Sequence, residues 1–135
     1  MCIRNHIKTV QTDYDKISSI RKMCSIRLKM LNEDKLTDDT AFVIAERYYE
    51  IIKELLIALL LKNNMKSDNH ECLIAFFKYK YPQYASETET IHQLKAVRNR
   101  VSYDGIFIKK SYIDRNRLEF QHIIKEINGL LDVEV

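Results

Sequence analysis

The chain has 135 residues, enough for one domain that buries a real core without disulfide or metal staples. Hydrophobic residues make up 46%, which excludes a disordered segment, and two glycines and one proline argue against loop-rich β architecture. The formal net charge of +3, from 22 basic and 19 acidic residues, implies a nucleic-acid partner only where the basic residues cluster.

Cys2, Cys24 and Cys72 are scattered and form no CxxC pair, so neither a zinc site nor a disulfide framework is expected. Reduced thiols in a cytoplasmic protein are the expectation. Arg4, Asn5, His6 and Lys8 interrupt any apolar signal core near the start. The longest apolar run, Leu55 to Leu61, is far shorter than the roughly 20 residues of a membrane span. No repeat or linker divides the chain, which reads as a single helical domain over 1–135.

The first helix is predicted over 13–31, where Ile17, Ile20, Cys24, Leu28 and Leu31 recur at steps of three and four. The second runs from a cap at Thr37 or Asp38 to Lys62. Phe42, Ala45, Tyr49, Ile52, Leu56 and Leu59 form its apolar stripe, and Tyr48, Ile51, Leu55 and Ala58 widen it. A helix apolar over more than half its circumference is central to the fold or also faces a second subunit. The third helix is expected over 69–81, capped by Ser67 or Asp68 and stopped by Pro82. Ser86 and Glu89, three apart, resemble a capping box opening the fourth helix, and Gly105 suits a left-handed C-cap at its end. Ile106, Phe107 and Ile108 form a packed connector, and a fifth helix follows over 111–131. Five helices with short loops predict an all-α, up-and-down bundle around a four-helix core.

Between Lys95 and Arg117 stand Lys95, Arg98, Arg100, Lys109, Lys110, Arg115 and Arg117, opposed only by Asp104 and Asp114. This local excess points to a phosphate-bearing partner. Within it lies Arg98-Asn99-Arg100-Val101-Ser102-Tyr103-Asp104, near the end of the fourth helix. Its spacing resembles the R-N-x-x-x-H motif of HEPN domains, a family of small helical bundles. The stretch from Ala45 to Leu55 resembles the long central helix of prokaryotic members, and His70 to Ile74 resembles the start of their next helix.

The resemblance spans roughly 37–131 and implies a homodimer in which two copies of the motif face each other across a cleft. It implies RNA or nucleotide binding, with Arg98 holding a phosphate through its fork of donors and Asn99 orienting that contact. Arg100, Ser102, Lys95 and Lys109 extend the expected binding set. Active family members cut RNA without metal, and Arg98 and Tyr103 occupy the catalytic positions. No metal site or cofactor is implied. Where the family carries histidine, this chain carries Tyr103. A tyrosine hydroxyl holds its proton about 5 kcal/mol more tightly than an imidazolium. Binding with weakened cleavage is therefore the leading expectation. A metal-independent endoribonuclease of toxin type is the enzyme alternative. The interaction alternative is a partner of a small nucleotidyltransferase in a toxin–antitoxin pair, with Tyr103 or Tyr112 as an acceptor hydroxyl.

Geometry constrains the motif. Five helical residues place Arg98 and Tyr103 about 140° apart, whereas Asn99 and Tyr103 share a face. Either the helix ends or bends near Val101, or a second subunit completes the site. Simpler roles compete: Arg98 as a surface charge paired with Asp104 or Glu46, and Tyr103 as a core anchor for the connector. His70 reads as an early-helix residue rather than a proton carrier, and His92 as solvated surface. Glu46 and Glu50 form a solvated face or border the cleft. The run Tyr79-Lys80-Tyr81-Pro82-Gln83-Tyr84 offers a stacking surface for single-stranded RNA or packs a helix end.

Overall fold

Helical periodicity governs the chain in the computed structural model, which describes residues 7–133. Helices α1 (Tyr14–Glu33), α2 (Ala41–Lys62), α3 (His70–Lys80), α4 (Ala85–Asp104) and α5 (Lys110–Asp132) account for most of it. Two short strands, β1 (Ile7–Thr9) and β2 (Met65–Ser67), and a 3₁₀ turn at Pro82–Tyr84 complete the order. The mostly helical fold agrees with the predicted all-α class. The small sheet was not anticipated, because three-residue strands are too short to display a period of two.

Helix α2 is the hub. Helices α1, α3, α4 and α5 all pack on it. Ile52, Leu55, Tyr48 and Ala58 are completely buried, as is Ala45. The broad apolar circumference is therefore covered by the chain's own helices and does not call for a second subunit. Tyr48 meets Phe120 of α5 at 5.3 Å between ring centres, and its hydroxyl accepts a 3.0 Å hydrogen bond from Arg117 Nε. Among the described residues, no helix is long and apolar enough to cross a membrane.

The helix ends show where local pattern and tertiary structure part. Asp13 caps α1 by accepting from the Lys16 N–H at 3.0 Å. At α2 the expected caps are corrected: Thr40 occupies the N-cap without a side-chain bond to the helix. Thr37 instead accepts from the Asp39 and Thr40 N–H groups within the preceding turn. Asp38 reaches across the molecule and accepts from the Lys110 N–H at 2.8 Å, which places a carboxylate at the start of α5. Asn69, rather than Ser67 or Asp68, caps α3 by accepting from the Glu71 and Cys72 N–H groups. Ser67 lies in β2, paired with Ile7.

The capping box at Ser86 is also corrected. The 3₁₀ turn delivers Ala85 already in helical geometry, so α4 begins before Ser86 and has no side-chain cap. At its far end Gly105 takes the expected left-handed conformation, with φ at 64°, and its N–H bonds the Arg100 carbonyl. Lys62 donates to the Leu130 and Leu131 carbonyls at 2.9 and 3.0 Å, satisfying the last turn of α5.

Cys24 is a free, buried thiol, and burial pushes it up to about 11. Cys72 is fully buried on α3. Cys2 and His6 lie outside the described residues.

Candidate functional site

Helix α4 runs unbroken from Ala85 to Asp104. It continues past Val101 to Asp104, so ideal helical geometry sets Arg98 and Tyr103 about 140° apart around its axis. Lys95, Arg98, Asn99 and Ser102, at helical steps of three and four, lie along one side of α4. Arg100 is directed elsewhere. It borders a cavity of about 290 Å³ between α4 and α5, together with Tyr112, Asn116 and Phe120. Burial raises the Tyr112 hydroxyl above its usual range, and the Arg100 and Arg115 charges oppose that rise. The structure thus divides the predicted binding set between two faces. Lys109 sits beyond the helix, exposed at the N-cap of α5.

Arg98 is half-buried, with its guanidinium carbon 5.8 Å from the centre of the Tyr49 ring on α2. One guanidinium N–H donates to the Asn99 side-chain oxygen at 3.3 Å. Neither Asp104 nor Glu46 forms an ion pair with it, so the surface salt-bridge role is not realised among the described residues. Lys95 is different: its ammonium pairs with Glu71 at 2.8 Å, which also holds the Glu71 carboxyl below its ordinary range. Lys53 is held by Glu50 at 2.9 Å and Glu54 at 3.6 Å. Glu50 is therefore committed to a lysine rather than free at a cleft. Arg98 is the cation of this group left without a carboxylate.

His70 enters the same neighbourhood from α3. Its ring centre lies 6.2 Å from that of Tyr49. Desolvation lowers its pKa below 6.5, and Lys53, Arg98 and Lys95 add to that effect while Glu50 opposes it. His70 is the first residue of α3, as expected, and its place beside Tyr49 adds what the local sequence does not show. His70 and Arg98 are 28 positions apart in the sequence, and only the packing of α3 and α4 on α2 brings both to Tyr49. Burial also pushes the Tyr49 hydroxyl up to about 12, against the lowering influence of Arg98.

Tyr103 is 78% exposed, so it does not anchor the connector in the core. Phe107 supplies part of that role, meeting Phe42 edge-on at 5.3 Å, although it too is 70% exposed. In the tyrosine-rich run, Tyr81 and Tyr84 pack on Phe77 at 5.8 and 5.7 Å, which fixes the helix end. Only Tyr79 remains exposed there as a free aromatic face. His92 is solvent-exposed, and His122 contacts Glu87 at 3.2 Å. Among the described residues, no group of three or more histidine, cysteine or carboxylate side chains could hold a metal ion.

No family model, curated protein or solved structure matches this chain.

Proposed function

We propose that this chain is a HEPN-like domain that binds the phosphate of RNA or of a nucleotide through Arg98 and Asn99. The observation that carries this reading is the state of Arg98: half-exposed, braced over Tyr49 and lacking a carboxylate partner among the described residues. A guanidinium held this way is oriented but uncompensated, which suits a charge-assisted contact to phosphate. Asn99 accepts from one of its N–H groups and leaves others for a ligand. Exposed Arg100, Lys109, Lys110 and Arg115 add positive potential around the end of α4 and the start of α5.

Homodimerisation belongs to this reading through α4 alone. Arg98 and Tyr103 lie about 140° apart around one continuous helix, so a site using both draws them from two copies. Cleavage is weak in this reading, because a tyrosine at the motif's histidine position is a poor proton acceptor near neutral pH. The test is salt-dependent binding of a fluorescent single-stranded oligoribonucleotide. Arg98→Ala should weaken binding about tenfold or more and reduce the salt slope by about one ion. Equal affinity and slope in the variant would remove Arg98 from the site.

A further inference from the structure

We propose that His70 is the second anion-contacting group of the Arg98 site, so that the site takes up a phosphodiester together with a proton on the imidazole. This rests on the reading of Arg98 as a phosphate contact. It adds a residue that lies outside the R-N motif and comes from a different helix.

Three helices converge here. Tyr49 of α2 is 2% exposed and serves as the platform. Arg98 of α4 and His70 of α3 lie 5.8 and 6.2 Å from its ring centre. Both are half-buried, so each keeps an edge toward solvent. His70 is also the first residue of α3, where the helix dipole adds positive potential and favours an anion.

The surrounding charges make binding of anion and proton cooperative. Lys53 and Glu50 face His70 from α2, and Arg98 and Lys95 from α4. Lys53 and Lys95 are already compensated by carboxylates, whereas Arg98 is not. In the free chain, burial and these cations favour the neutral imidazole. A phosphodiester on Arg98 offsets that cation and offers the imidazolium a partner, so the charged form of His70 becomes favourable. Linkage gives the sign: binding takes up a proton, so affinity falls as pH rises. The fall lies between the free-state pKa, below the ordinary 6.5, and the higher pKa of the bound state.

The experiment uses the full chain and a short uridine oligonucleotide, whose phosphodiester charge is constant between about pH 5 and pH 8. The His70 ring resonance is titrated by NMR in the free and saturated chain, and is identified by its loss in His70→Gln. Saturation should raise the His70 pKa by about one unit, with affinity falling about tenfold across the same window. His70→Gln should bind with no such pH dependence. An unchanged His70 titration in the saturated wild-type chain, which needs no substitution, overturns the proposal. So does a His70→Gln variant that keeps the wild-type pH dependence. If Arg98→Ala binds as well as wild type, or wild type does not bind, the phosphate reading itself fails. Loss of binding in Arg98→Ala with an unmoved His70 defeats the role of His70 alone.

Discussion

Helices α2 and α4 are almost equal in length and differ in what their residues do. Thirteen of the 22 residues of α2 are buried, against four of the 20 in α4. α2 spends its circumference on four neighbouring helices, so more than half of its positions are answerable to the core. α4 needs only Thr88, Ile91, Leu94 and Val97 for packing, and its remaining surface is free to carry charge. The adjacent residues Tyr48 and Tyr49 show the two roles meeting on one helix. Tyr48 packs on Phe120 and bonds Arg117 within the core. Tyr49 holds the underside of Arg98 and His70. The hub buries most of its residues, whereas the helix laid on it leaves most of its side chains at or near the surface.

Substitutions should separate the two regions clearly. Leu55→Ala, at a fully buried position of α2, should lower stability by about 2–5 kcal/mol in urea unfolding. A loss under about 1 kcal/mol would mean that α2 is not the packing centre. Gly105→Ala tests the junction after α4. No atom lies within 4 Å of an added Cβ, so the cost comes from a φ of +64° alone. That conformation should cost about 1 kcal/mol, and an unchanged midpoint would show that the turn relaxes. Tyr103→Ala should have the smallest effect, within about 0.5 kcal/mol, because the side chain is 78% exposed. A larger loss for the monomeric chain would return Tyr103 to a structural role.

Much of this was legible from local pattern. The predicted helices over 13–31 and 69–81 fall within two residues of α1 and α3, and Gly105 was recognised from its place after the last helical turn. The Asp13 cap is local, since its partner, the Lys16 N–H, is three residues on. Asp38 was assigned to the helix beside it, yet it serves an N–H that is 72 positions away. The pairing of β1 with β2 is hidden from local pattern for the same reason, since Ile7 and Ser67 are 60 positions apart. The cations near His70 are likewise hidden, because its sequence neighbours do not show them.

From residues alone came the helical class, the breadth of the apolar face on α2, the basic excess after Lys95 and the motif at Arg98. These are properties of spacing, composition and short-range backbone geometry, which survive without knowledge of the fold. Tertiary structure alone decided that the chain's own helices cover α2, that glutamates neutralise Lys53 and Lys95, and that Arg98 and His70 share one tyrosine. Burial and Coulomb energy depend on distances through space, and residues far apart in the chain acquire those distances only when the helices pack.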